Sequence, residues 1–192
     1  MRQKISDAES ANLRAYDRSV NIYVRYLDSF VIRREEVRME KEDIEYRQQL
    51  VNTYKPDVEK LIRYLPWLEE KAGSIVAENY EGSGIKGHSI TFPVYDGTLM
   101  SFIKDVQRTG LIDRNYPYIY SKNGIRTTKD ELNAISKADI REMNVLKGIL
   151  SKYVLGGMTK GRMWTEAVTN RIFLNVIRKM KENVEFWDRP MY

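Results

Sequence analysis

The stretch SKADIREMNVLKGILSKYVLGGMTKGRMWTEAVTNRIFLNVIRKM (residues 136–180) carries most of what the chain says about its body. Ile140, Met143, Leu146, Ile149, Leu150 and Tyr153 recur at helical spacing, which predicts a helix started by Ser136 or Asp139. Gly156-Gly157 is expected to end it. A last helix is expected to open at Thr159 or Gly161 and to carry Trp164, Ala167, Val168, Ile172, Val176 and Met180 on one stripe. The same stretch is strongly cationic. Between Lys147 and Lys181 stand Lys147, Lys152, Lys160, Arg162, Arg171, Arg178, Lys179 and Lys181 against one acid, Glu166. That local surplus exceeds the net charge of +5 that the whole chain draws from 32 Lys and Arg and 27 Asp and Glu.

Upstream the pattern changes. Ile75 to Tyr80 reads as a strand, Glu81 to Gly87 as a flexible connection, and HSITFPV (residues 88–94) alternates with period two. Together these predict a β-hairpin with a long loop. Asp96-Gly97 is a turn, after which Leu99, Phe102, Ile103 and Val106 sit at helical spacing up to Gly110. Tyr116 to Tyr120 reads as a short edge strand, kept from a central place by Pro117.

Further upstream, residues 6–53 hold no Gly and no Pro. Leu13, Tyr16, Val20, Tyr23, Leu27 and Phe30 recur in alternating steps of three and four, a heptad seam. Capped by Ser6 or Asp7, a helix of about 45 residues is about 68 Å long and cannot bury such a stripe alone. The seam must pack on another helix, in this chain or in a homodimer. Residues 1–54 carry ten basic and ten acidic groups, so this segment is no electrostatic arm for nucleic acid. Its middle, RREEVRMEKEDIEYRQ (residues 33–48), reads as a solvated helix laced by surface ion pairs. Lys55-Pro56 is expected to end the first helix and Pro56 to begin a second, which carries Val58, Leu61, Ile62 and Leu65 until Gly73. The expected fold is α+β and predominantly helical: a long helical arm over residues 1–54 and a small α+β body over 55–192.

Composition excludes several chemistries. The chain has 192 residues and no Cys, which removes disulfides, thiolate metal sites and thiol catalysis. His88 is the single His, so paired-histidine metal motifs are absent. No run of about 18 apolar residues occurs, and MRQKISDAES lacks the apolar core of a signal peptide. A cytoplasmic setting with no membrane partner is expected.

The remaining candidates for chemistry are few. Gly82, Gly84 and Gly87 spell G-x-G-x-x-G, but a strand-like run follows where a dinucleotide site needs a helix. His88 follows that loop, with Glu78, Glu81 and Asp96 near in sequence. Asp105, Asp113, Asp130, Asp139, Glu142 and Glu166 show no metal-ligand spacing and suit caps, first turns and loops. No cofactor, no metal and no catalytic residue is expected. The 13 tyrosines include Tyr26 and Tyr46 in the arm, which suit a recognition surface.

The last third resembles a small family of bacterial and phage domains of unknown function. The likeness rests on Lys152-Tyr153, Gly157 to Gly161, Glu166 to Asn170 with Ile172, and Val176 to Met180. The chain departs from it at Gly157, where that family has a basic residue, at Met158, where it has an aromatic, and at Asn170, where it has a second Gly. The resemblance implies an α+β fold and a prokaryotic or phage setting, and brings no activity. Cations interleaved with aromatic rings suit phosphates and unstacked bases. The expected function is therefore non-enzymatic binding of nucleic acid or a nucleoprotein complex. An inhibitor of a host nuclease system, of the anti-CRISPR kind, is its most concrete version. Lys152, Lys160, Arg162, Arg171 and Arg178 are the expected contacts to phosphate or an acidic partner, with Tyr153 and Trp164 as aromatic contacts. The plain alternative for the same residues is the solvated face of two helices with Trp164 in the core. A nucleotide- or metal-dependent enzyme and a structural coiled-coil oligomer are the alternative functions.

Overall fold

Residues 43–62 form one helix, α1, that continues past Lys55-Pro56 instead of ending there. A proline inside a helix costs about 3 kcal/mol. Here Val51, Val58 and Leu61, on both sides of Pro56, are buried in the core. Each such burial stabilises by about 1.5–3 kcal/mol, so packing outweighs the local penalty. A computed structural model describes residues 41, 43–81 and 91–189, the side chains of 77–93 excepted. The chain divides into two units, Met1–Arg47 and Gln48–Tyr192, and the second holds the body. The expected seam of Leu13, Tyr16, Val20, Tyr23, Leu27 and Phe30 lies outside the described residues, as does Tyr26.

Helix α2 (Leu65–Lys71) begins with Pro66 in its first turn, where no backbone donor is needed, so this proline starts a helix and kinks none. Gly73, at φ +84°, turns the chain out of α2. Strands β1 (Ala77–Glu81) and β2 (Thr91–Tyr95) pair antiparallel, with Ala77 opposite Tyr95 and Glu81 opposite Thr91. Their connection, with Gly82, Gly84, Gly87 and His88, lies outside the described residues. Helix α3 (Gly97–Gln107) is capped by Asp96, whose Oδ1 accepts the Thr98 N–H at 2.7 Å, and it buries the expected Leu99, Phe102, Ile103 and Val106.

Tyr116–Lys122 is a helix, α4, and not the edge strand that the tyrosine alternation suggests. Pro117 stands in its first turn, a place where proline is at home, and Ile119 is its buried residue. Helix α5 (Thr128–Lys137) opens with a capping box: the Thr127 side chain accepts the Asp130 N–H while the Asp130 carboxylate accepts the Thr127 N–H. Asp139 caps a single 3₁₀ turn (Ile140–Glu142) that runs into α6 (Met143–Thr159). Helix α7 (Arg162–Thr169) and helix α8 (Ile172–Asp188) follow. The one last helix expected from residue 159 or 161 is thus two. The break falls at Arg171, which takes a left-handed φ of 60°. The described fold is predominantly helical, with one two-stranded ladder, and not an even α+β mixture.

Helix α6 lies at the centre and packs on α3, α4, α5, α7 and α8. Its sequence is apolar nearly all round, as a helix surrounded by others must be: Met143, Val145, Leu146, Ile149, Leu150, Tyr153 and Val154 are all buried. Gly156-Gly157 does not break it, because these glycines serve close packing. A Cβ on Gly157 would stand 2.0 Å from the Trp164 indole, and one on Gly148 would stand 2.9 Å from Ile119 of α4. Gly157→Ala is expected to cost about 1–3 kcal/mol, read as a lower urea midpoint at unchanged m value. Gly156→Ala should cost less, since a Cβ there meets only the flexible end of Met163 at 2.6 Å. Equal midpoints for the two variants would show that Trp164 has room to move.

Candidate functional site

The cations of residues 147–181 do not form one face with one task. Lys152 of α6 turns inward and donates to Oε1 of Glu131 at 2.6 Å. Arg178 of α8 donates to Glu69 of α2 at 2.9 Å, and Lys181 pairs with Glu185 one turn on in α8 at 3.7 Å. Arg162 pairs with Glu166 along α7 at 3.0 Å, but its side chain is 84% exposed, so the pair is a solvated one. Lys160 and Arg171 stand exposed at the two ends of α7, and neither has an ion pair with a described residue. The expected set of five cations therefore divides: Lys152 is tied to the buried Glu131, Arg162 and Arg178 hold exposed pairs with Glu166 and Glu69, and Lys160 and Arg171 are exposed with no ion pair to a described residue.

The two aromatic contacts are placed in the core. Trp164 is buried, donates its Nε1–H to the Val154 carbonyl at 3.1 Å, and meets Tyr95 edge-on at 5.3 Å. Tyr153 is buried and meets Phe173 edge-on at 6.3 Å. Neither ring leaves a face open on which a base can stack. In their case the alternative of a core role is the one the fold adopts.

The most concentrated polar cluster in the body is one that the charge and motif pattern missed. Glu131 in the first turn of α5 is fully buried. Its Oε1 accepts the Tyr120 hydroxyl of α4 at 2.7 Å and the Lys152 ammonium at 2.6 Å. Its Oε2 accepts the Tyr153 hydroxyl at 2.8 Å. The Lys152 ammonium also lies over the rings of Tyr120 and Tyr153, 4.9 Å and 5.0 Å from their centroids. Burial first, and the bond to Glu131 second, push both phenols above their ordinary value of 10. A sequence signal for this cluster exists. Glu131 stands four residues before the buried Ile135, on the inward side of an otherwise apolar stripe.

The other carboxylates serve structure. Asp105 accepts from Arg63 and from the Tyr64 hydroxyl, and these two bonds hold it below the ordinary carboxylate range. Asp57 accepts the Gly110 N–H at 2.7 Å, Asp113 the Asn115 N–H at 2.8 Å, and Asp139 the Arg141 N–H at 2.7 Å. Asp130 is the capping-box acid, and Glu166 pairs with Arg162. Among the described residues no group of three His, Asp or Glu side chains can hold a metal ion, and no helix is long and apolar enough to cross a membrane. The surface hollows are shallow. One of about 300 Å³ lies between the Asn123–Ile125 turn, α5 and the start of α6.

No protein-family model matches the chain, and no curated protein or solved structure is similar to it. The resemblance of its last third to phage and bacterial domains gains nothing from these comparisons.

Two measurements check the cluster. Glu131→Gln keeps the shape but leaves Lys152 facing a neutral amide, and is expected to cost about 2–3 kcal/mol in urea unfolding. A cost below about 0.5 kcal/mol would mean that the ion pair contributes little. The raised phenols set a pH dependence. Below pH 10 both are protonated whether the chain is folded or not. Above it only the unfolded chain ionises, so stability should fall as pH rises. The double variant Tyr120→Phe, Tyr153→Phe should show a shallower fall between about pH 9 and about pH 11.

Proposed function

We propose that the protein acts by binding and not by bond-making, engaging nucleic acid or a nucleoprotein complex through cations on the surface of its body. The observation that carries this reading is that Lys160, Arg162 and Arg171 stand exposed around the short helix α7. Two of them have no ion pair with a described residue, and the third has only a solvated one. Solvated pairs contribute about 0.2–1 kcal/mol and exchange readily for phosphate. In its most concrete form, drawn from the phage-like resemblance, the protein works in a bacterial or phage-infected cytoplasm and occupies the nucleic-acid path of a host nuclease complex.

The test is a titration of labelled DNA at several salt concentrations. Affinity should fall steeply as salt rises. The triple variant Lys160→Ala, Arg162→Ala, Arg171→Ala should lower the slope of log K against log salt by about 2 for a single strand and about 2.7 for a duplex. No retention of DNA by the wild-type protein, even at low salt, removes nucleic acid as the partner.

A further inference from the structure

We propose that the outer face of α4 and the turn behind it form a contact for single-stranded nucleic acid, with Tyr118 as a stacking platform and Arg114, Lys122 and Arg126 as phosphate contacts. This deepens the binding function proposed above and rests on it. Residues 114–129 hold four basic groups, Arg114, Lys122, Arg126 and Lys129, and no acid. All four are exposed, and none has an ion pair with a described residue. This run is as one-sided in charge as the 147–181 stretch, and its cations are not spent on partners inside the body.

The geometry sorts the three tyrosines of α4. Tyr120 turns inward: its hydroxyl goes to Glu131 and its ring carries the Lys152 ammonium. Tyr116 meets the Tyr120 ring edge-on at 6.4 Å. Tyr118 is 59% exposed, and its side chain makes no hydrogen bond or ring contact with a described residue. Tyr118 and Lys122 stand four apart in α4, so they share one stripe with about 6 Å of rise between them, and Arg114 lies in the turn just before the helix. An open aromatic ring beside a cation, with further cations in the turns on either side, suits an unstacked base and its phosphates. In a duplex each base face is covered by its stacked neighbours, so this stripe suits a single strand over a duplex.

Backbone hydrogen bonds close the turn that follows the stripe. Helix α4 ends with Gly124 at φ +64°. The Ile125 N–H reaches back to the Tyr120 carbonyl at 3.0 Å, the Gly124 N–H reaches the Ser121 carbonyl at 3.3 Å, and Ile125 is buried. The acids that border the run are already engaged. Asp113 accepts the Asn115 N–H, and the Asp130 carboxylate accepts the N–H groups of Arg126 and Thr127 and the Thr127 hydroxyl. Arg126 is thus held beside the end of the stripe with its side chain left to solvent.

Fluorescence anisotropy with labelled oligothymidine of about 20 nucleotides, and with a duplex of equal length, tests this. The wild-type protein should bind the single strand more tightly at equal salt. Tyr118→Ala should weaken single-strand binding about tenfold and leave duplex binding unchanged. The double variant Arg114→Ala, Lys122→Ala should lower the single-strand salt slope by about 1.4. Lys104→Ala, a charge control on α3, should change neither, and far-UV circular dichroism should show every variant folded. Single-strand binding by the wild type that survives both α4 variants overturns this contact and leaves the binding function standing. Equal affinity for duplex, or equal competition by polyglutamate, overturns the single-strand assignment. No binding to either DNA takes the binding function down with it.

Discussion

A buried carboxylate must find its hydrogen-bond donors inside the fold, and Glu131 imposes that demand on three helices at once. Taking an ionised carboxylate out of water costs several kcal/mol unless charge and hydrogen bonds replace the solvent. Here the replacements come from α4 through Tyr120 and from α6 through Lys152 and Tyr153. The consequence reaches the surface. Once Tyr120 and Ile119 must face the body, the helical period of α4 leaves Tyr118 and Lys122 facing solvent. Residues that no partner inside the protein can use are oriented by one that has no partner except inside it.

The same device recurs at the connections. Ser151 in the middle of α6 is fully buried, and its Oγ accepts the Asp113 N–H at 2.7 Å, which fastens the segment leading into α4. Asn183 of α8 is buried and donates to the Ala138 carbonyl at 3.2 Å, which fastens the segment between α5 and the 3₁₀ turn. No buried side-chain nitrogen or oxygen among the described residues lacks a partner. Ser151 and Asn183 therefore each tie a stretch of irregular backbone to a helix, as Glu131 ties helix to helix. Glycine does the complementary work on α6: Gly148 admits Ile119 and Gly157 admits Trp164, so that neighbours approach closer than any side chain would allow.

What the sequence made legible follows from which force decides each element. Apolar periodicity found α3, α6 and the core positions of α7 and α8, because burial of those stripes is what forms them. It failed where packing overrode a local rule. Pro56 sits inside α1 because Val51, Val58 and Leu61 hold that helix in the core. Gly156-Gly157 sits inside α6 because Trp164 and Met163 fill the space above it. It failed also at α4, where Tyr, Pro and Tyr alternate like a strand although Pro117 is equally at home in a first helical turn. The capping box of Thr127 and Asp130 was readable and would have announced α5. The charged residues were the hardest to place. Net charge over residues 147–181 counts Lys152 and Arg178 as unpaired, whereas their acids, Glu131 and Glu69, come from segments remote in sequence.

That last point decides how charge in this chain should be weighed. A cation contributes to long-range attraction only if no carboxylate within a few ångströms cancels its field, since paired charges look like dipoles beyond a Debye length of about 10 Å. Lys152, Arg162, Arg178 and Lys181 are partly cancelled in this way by Glu131, Glu166, Glu69 and Glu185, whereas Lys160 and Arg171 have no ion pair with a described residue. Arg114, Lys122, Arg126 and Lys129 have no ion pair with a described residue; Asp113 and Asp130, the acids at either end of their run, accept backbone N–H groups, and Asp130 also feels the Arg126 charge. Those N–H groups carry no formal charge, so each acid keeps its own but is fixed beside a turn. The field on that side of the body is then set by four cations against two immobilised acids, with an open tyrosine ring among the cations. A polyanion with exposed bases, the partner proposed above, would gain from both features together.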